Sequence, residues 1–205
     1  MRLEESRRDH YRRLAKIHGY KSRAAYKLLE IDNSFHILKR GMKVIDLGSY
    51  PGGWLQVASS KVGNNGLVIG VDIRRIEYKA DNVICVESSI EDESLVTKLD
   101  GILRGKADVV LSDVSPNLSG IWSLDHARQI HLSRRVITIA EDMLKEDGNA
   151  VLKVFDGDMF KEFLNDVKNR FSRVHIHKPN ASRKESSELY LICIGHSIPD
   201  RSIYE

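Results

Sequence analysis

At 205 residues, with 41% hydrophobic and 30% charged side chains, the chain has the size and composition of one globular domain and is short for two. No apolar run approaches the roughly 18 residues needed to span a membrane, and the opening Met-Arg-Leu-Glu-Glu-Ser-Arg-Arg lacks the apolar core of a secretory signal. The net charge of +3 is unevenly placed, because residues 1–27 hold nine basic side chains against three acidic ones.

A basic arm on a slightly acidic body suggests a polyanionic partner. Its candidate RNA contacts are Arg7, Arg8, Arg12, Arg13, Lys16, Lys21 and Arg23, with Tyr11, Tyr20 and Tyr26 interleaved as possible stacking groups. The competing reading is a solvated helix face carrying i,i+4 pairs such as Glu4–Arg8 and Asp9–Arg13. Cys85 and Cys193 sit alone in apolar runs and are expected to be reduced core residues. No Cys/His cluster has zinc-ligand spacing, and His175 and His177 read as surface residues of a strand.

In chain order, residues 4–17 read as a basic helix ended by Gly19. Ser22 is expected to cap a second helix over 23–33, with Ala24, Ala25, Leu28, Leu29 and Ile31 as its apolar positions. From Gly41 on, strands alternate with helices. Strands are expected at 43–47, 67–72, 83–87, 107–112, 149–155, 173–178 and 188–195, and helices at 54–61, 92–104, 126–145 and 158–170. Several strands are continuous apolar runs, which suits burial on both faces. The pattern predicts a doubly wound α/β sheet with helices on both faces, binding ligands at the carboxyl ends of its strands.

The segment Asp46-Leu-Gly-Ser-Tyr-Pro-Gly-Gly-Trp54 joins an apolar strand to a helix. Gly48, Gly52 and Gly53 can take positive φ and let a ligand approach the backbone. The helix starting near Gly53 offers unpaired amides to a polar ligand. Asp72 ends the next strand, where a carboxylate can accept hydrogen bonds from ribose hydroxyls. An adenosine-containing cofactor follows.

Three further positions stand out. Asp113 ends the fourth strand in Ser112-Asp-Val-Ser-Pro-Asn117, either as a substrate-positioning group or as a plain Asx-turn. Lys153 lies inside the apolar run Val151-Leu-Lys-Val-Phe155, either buried as a base of lowered pKa or snorkelling from a strand end. Glu188 opens the last strand, where an edge-strand charge that blocks pairing is the competing reading.

Taken with Lys27, these residues resemble a known set. The motifs Ser22-Arg-Ala-Ala-Tyr-Lys27-Leu, Asp46 to Trp54, Ser112 to Asn117 with Ser119-Gly120, Lys153-Val-Phe, and Lys178-Pro with Ser182-Arg183 before Ser187-Glu-Leu-Tyr190 are similar in order and spacing to the FtsJ/RrmJ family of S-adenosylmethionine-dependent RNA ribose 2′-O-methyltransferases. The resemblance runs from about Ser22 to Gly195. It implies a catalytic tetrad of Lys27, Asp113, Lys153 and Glu188, and a seven-stranded sheet with an antiparallel last strand. It implies S-adenosyl-L-methionine held by Asp46, Gly48, Gly52, Gly53, Trp54 and Asp72, with Asp113 near the sulfonium. An aspartate that faces adenine in relatives aligns here with Ser89, and Asp92 is an alternative.

The tetrad reading makes Lys153 the general base, its pKa lowered by Lys27, with Asp113 and Glu188 orienting the amines and the attacked hydroxyl. The resemblance is closest to the branch acting on a uridine ribose of large-subunit ribosomal RNA. A branch methylating tRNA anticodon-loop riboses and a catalytically silent assembly factor remain open. A nucleotide-dependent oxidoreductase would share the glycine turn but lacks Gly-x-Gly-x-x-Gly. The expected organisation is a basic arm over 1–21, a methyltransferase domain over 22–196 and a tail over 197–205, in a cytoplasmic monomer that uses no metal. The loop Asn117-Leu-Ser-Gly-Ile-Trp122-Ser is expected to cover the target nucleoside, with Trp122 either stacking on a base or acting as a hydrophobic lid.

Overall fold

The computed structural model describes residues 2–182 and 186–197, with side chains from His10 onward. The side chains of Arg7 and Arg8, together with Arg183 and most of the expected tail, lie outside the described residues.

Two helices precede the sheet. α1 (Arg2–Ile17) carries the basic arm, and a turn through Gly19, at φ 73°, leads to α2 (Ala24–Phe35). Aromatic rings tie the two together: Tyr11, Tyr20 and His18 gather around Tyr26 at centroid distances of 5.4, 5.6 and 6.2 Å. The Tyr26 hydroxyl also bonds His18 Nδ1 at 2.8 Å. Ser22 does not cap α2 as expected. Arg23, at the cap position, already has helical angles (φ −64°, ψ −17°), and no side-chain oxygen reaches the first turn. Ser22 Oγ packs instead against Gly53, where an added Cβ would overlap it.

The remaining elements alternate: β1 (Lys43–Leu47), α3 (Gly53–Val62), β2 (Leu67–Asp72), β3 (Val83–Glu87), α4 (Leu95–Leu103), β4 (Ala107–Ser112), α5 (Trp122–Met143), β5 (Leu144–Phe155), α6 (Phe160–Lys168), β6 (Phe171–His177) and β7 (Glu188–His196). The strands form one seven-stranded sheet in the order β3-β2-β1-β4-β5-β7-β6. Neighbours among β1 to β5 pair in parallel, whereas β7 runs antiparallel to both β5 and β6. This is the expected Rossmann-like arrangement.

Alternate strand residues supply opposite faces. Ile45, Ile69, Val110 and Leu152 join a core under α4, α5 and α6. Their neighbours Val44, Val68, Val109 and Val151 join a second core under α2 and α3. Full burial of one such side chain contributes about 1.5–3 kcal/mol, so continuous apolar strands covered on both sides carry most of the stability. Among the described residues no helix is long and apolar enough to cross a membrane.

Other readings change as well. α5 begins at Trp122 rather than 126, because Asp125 folds the preceding loop onto the helix. Its carboxylate accepts the Ser119 amide at 2.8 Å, the Ser119 hydroxyl at 2.7 Å and the Gly120 amide at 3.1 Å. α5 also ends at Met143 rather than 145. Leu144 is already extended and pairs with Ala107 of β4, with a register irregularity before Val109 pairs with Asn149. Cys193 is buried as expected, but Cys85 is exposed, because β3 is an outer strand of the sheet and its other neighbour is solvent. Glu188 is no edge charge, since β7 lies between β5 and β6.

Candidate active site

The parallel strands bring their carboxyl ends to one rim of the sheet. β7 is antiparallel, so it brings its amino end there: Glu188 pairs in register with Phe155, and Tyr190 with Lys153. Residues far apart in sequence thus meet through strand direction alone.

At this rim, Lys27, Asp113, Lys153 and Glu188 are brought together. Lys153 is only 6% exposed. Its Nζ lies 3.1 Å from Asp113 Oδ1 and donates to the Asp113 carbonyl at 2.8 Å. Lys27, equally buried, donates to Glu188 Oε1 at 2.5 Å. Neither lysine snorkels. Burial of a lysine requires a partner, and each has a carboxylate.

A fifth residue joins the two pairs. The Tyr190 hydroxyl donates to Asp113 Oδ1 at 2.7 Å and accepts from Lys27 Nζ at 3.1 Å. Burial and the facing Asp113 and Glu188 carboxylates hold the Tyr190 phenol well above its usual range, so it stays protonated and donates. Burial pushes Asp113 upward, but Lys153, Lys27 and the Tyr190 hydrogen bond outweigh it and hold the carboxyl below the usual range. The Asp113 side chain remains 20% exposed, so the carboxylate is reachable from solvent.

The glycine turn lies beside this cluster. Gly48 (φ 76°) and Gly52 (φ 110°) adopt left-handed angles as expected. Gly48 is also crowded, because a Cβ there would come within 2.6 Å of a Val114 methyl and 3.0 Å of the Val114 backbone. Gly53 does not use positive φ; it is the first residue of α3, and the packing of Ser22 is what requires glycine there. The amides of Gly53, Trp54 and Leu55 open α3, where the helix itself supplies no acceptor.

The Trp54 side chain is spent elsewhere. Its Nε1 donates to the Ala24 carbonyl at 2.9 Å, and its ring packs on Tyr190 at 5.8 Å. The Trp54 ring therefore backs Tyr190, and only its backbone amide at the start of α3 is left to meet a ligand. Asp72 accepts the Tyr50 amide at 3.0 Å and the Arg74 amide at 2.9 Å, which fixes its carboxylate at the end of β2.

Asp46 is the residue whose chemistry best fits a ligand. It is fully buried, and neither carboxyl oxygen has a hydrogen-bond partner. Burial, then Asp113, then Asp72 push its carboxyl well above the usual range. An orphaned acid beside a positive-φ glycine turn, a fixed ribose-type carboxylate and open helix amides fits a polar, cation-bearing ligand such as the aminoacyl end of S-adenosylmethionine.

Of the two adenine candidates, Asp92 is occupied. It accepts from Ser88 Oγ, Ser94 N, Ser94 Oγ and Lys98 Nζ at 2.7–3.0 Å, opening α4. The Lys98 hydrogen bond leads the contacts that hold its carboxyl well below the usual range. Ser89 is half-buried, and its hydroxyl accepts the Glu91 amide. On the arm, Arg12, Arg13, Lys16 and Lys21 are exposed, and Arg23 is half-buried.

Three residues outside the sequence-derived set shape the site. Tyr190 could have been found from strand period alone, since it lies two residues from Glu188 on the same face. Ser182 donates to Glu188 Oε1 at 2.9 Å. Gln129 of α5 donates to the Lys153 and Val114 carbonyls, both at 3.2 Å, and so fixes the strand under Lys153. A helix glutamine gives no sequence signal for that role.

A strand-end cluster of two lysines and two carboxylates beside a glycine turn marks this as a Rossmann-like protein with a candidate transferase site. Comparison with known proteins sharpens the assignment. The family model for FtsJ-like methyltransferases matches residues 20–196. The Ribosomal RNA large subunit methyltransferase E of Methanothrix thermoacetophila is 49% identical over 190 residues, covering 93% of this chain and 73% of that one. The protein of the same name from Nitrosopumilus maritimus is 45% identical over 195 residues, covering 95% and 98%. A crystal structure described as a ribosomal RNA methyltransferase from Plasmodium falciparum superposes with a TM-score of 0.78 at 29% identity, covering 86% of this chain and 98% of that one. The chain belongs to the FtsJ-like methyltransferase family.

Proposed function

We propose that the chain is a cytoplasmic S-adenosyl-L-methionine-dependent enzyme that methylates the 2′-hydroxyl of a uridine ribose in large-subunit (23S) ribosomal RNA. The observation that carries this reading is the linked cluster Lys153–Asp113–Tyr190–Lys27–Glu188 at the strand ends. Two relatives that cover almost the whole chain carry the name Ribosomal RNA large subunit methyltransferase E, which supports the choice of RNA.

Bound S-adenosyl-L-methionine supplies an already activated methyl group on a sulfonium. Asp46, the amides opening α3, Asp72 and Ser89 would hold the cofactor, with Gly48 and Gly52 giving the backbone its close approach. The chain's own chemistry is positioning and proton removal. Asp113 orients Lys153, and Lys27 orients Glu188. The two carboxylates and the Tyr190 bridge fix the attacked hydroxyl at the mouth. Lys153 takes the proton that the attacked hydroxyl gives up. The exposed arm residues Arg12, Arg13, Lys16 and Lys21 attract the RNA backbone, and the arm leads directly into Lys27.

The test is methyl transfer from labelled cofactor to large ribosomal subunits, free ribosomal RNA and tRNA, each taken from cells lacking the activity. Label on a ribose of subunit RNA supports the reading. Label confined to tRNA moves the substrate to the anticodon-loop branch. No label with any RNA, despite cofactor binding, leaves an assembly factor.

A further inference from the structure

Around the start of α5 the surface is apolar where solvent is expected. Leu118, Ile121, Trp122 and Leu124 are exposed there, and so is Met159 in the turn after β5. Contiguous exposed apolar side chains mark a surface that is covered in use.

The centre of this patch is rigid. Trp122 is 50% exposed, yet its indole stacks on His126 (5.6 Å, 23°) and on Phe155 (6.0 Å, 25°). His126 is itself buried, its Nε2 accepts the Met159 amide at 3.1 Å, and its ring lies so close to Gly157 that a Cβ there would approach within 2.8 Å. The loop before Trp122 is pinned by the three hydrogen bonds to Asp125. A half-open indole backed by fixed rings loses little conformational entropy when a ligand covers it.

The array is also continuous with the active site. Phe155 lies two residues beyond Lys153 on the same face of β5, and it pairs in register with Glu188. An occupant of this surface therefore lies beside whatever the tetrad holds. A protein segment seated there would crowd the ribose out of the mouth. The indole packs on Phe155 of β5, whereas the cofactor cradle lies over β1 and β2.

We propose that the Trp122–His126–Phe155 array is a stacking platform for an unstacked nucleobase next to the target ribose, bordered by Ile121 and Met159. This deepens the ribose-methylation reading and rests on it. Recognition of single-stranded RNA by aromatic faces is base-tolerant, and the platform contributes to binding and register rather than to the chemical step.

The test compares wild type with Trp122→Leu and Trp122→Tyr on free ribosomal RNA at saturating cofactor. The expected result for the leucine variant is a KM for RNA raised about tenfold or more, with kcat within about threefold and cofactor affinity unchanged. The tyrosine variant recovers most of the loss. A second measurement needs no turnover. The chain has two tryptophans and Trp54 is buried, so a short single-stranded oligoribonucleotide should quench wild-type fluorescence, and the quench should vanish in Trp122→Tyr. An unchanged KM in Trp122→Leu overturns the proposal. So does equal damage in Leu and Tyr, which would mean packing, or weakened cofactor binding, which would mean a lid. A defect seen only with assembled subunits, not with free RNA, would mean a protein contact. If wild type methylates no RNA yet the oligonucleotide still quenches Trp122, the methylation reading fails while the platform stands.

Discussion

Lys153 and Tyr190 are antiparallel partners across β5 and β7, and both reach the same oxygen, Asp113 Oδ1, at 3.1 and 2.7 Å. The sheet register sets Lys153 and Tyr190 side by side, and Asp113, the first residue after β4, meets both. Precision of that kind is what a positioning catalyst requires.

Tyr190→Phe separates the roles within the cluster. It removes the hydrogen bond to Asp113 and the acceptor for Lys27, but both lysine–carboxylate pairs remain. Stability should fall by about 1.5–3 kcal/mol, the usual contribution of hydrogen bonds to charged groups. Turnover should fall less than about tenfold, because Lys153 keeps its orienting carboxylate. Urea denaturation and single-turnover kinetics on the same variant check both figures.

Asp46 predicts a pH dependence of opposite sign to that of a paired carboxylate. Its folded-state pKa is raised, so the folded protein holds a proton that the unfolded chain releases. Its contribution to the stability of the ligand-free protein is full below the ordinary carboxylate range and is lost as pH rises through the raised value. Asp113, held low, contributes the other way, and its part is lost as pH falls. Asp46→Asn should flatten the loss on the rising side and make the ligand-free protein more stable near neutrality, while weakening cofactor binding about tenfold or more. Denaturant midpoints across pH, with calorimetric binding of S-adenosylmethionine, read the two effects separately. A variant that binds cofactor like wild type would remove Asp46 from the cofactor site.

Legibility in the sequence followed period and spacing. The central strands were readable because doubly buried strands are continuous apolar runs, and the tetrad only through the resemblance of its motifs to a known family. What escaped depended on contacts across the fold. Leu144 suits both the α5 stripe and a strand, and only pairing with Ala107 decides between them. Ser22 has the chemistry of a cap, but the approach of Gly53 draws it away. Cys85 sits in an apolar run whose strand order leaves it at the sheet edge. Gln129 acts through carbonyl partners that no local pattern announces, and Ser182, though part of a motif, gave no sign of its bond to Glu188.

The arm predicts salt dependence. Charge reversal of the exposed Arg12, Arg13 and Lys16 to Glu should raise KM for RNA and flatten the slope of log KM against log salt by roughly 0.7–0.9 per lost phosphate contact. kcat should be unchanged, since these side chains lie outside the tetrad. A wild-type slope near zero would return the arm to an ordinary solvated helix.

Under the proposed mechanism Lys153 takes the ribose proton. The most direct measurement is the single-turnover rate of methyl transfer to bound RNA, wild type against Lys153→Ala, with cofactor affinity measured on both. The prediction is a loss of about 10²–10⁴-fold in rate with nearly unchanged cofactor affinity, and no labelled 2′-O-methyl nucleoside in the digest at short times. A variant that retains its rate within about tenfold, or that loses it only because the cofactor no longer binds, would contradict the assignment.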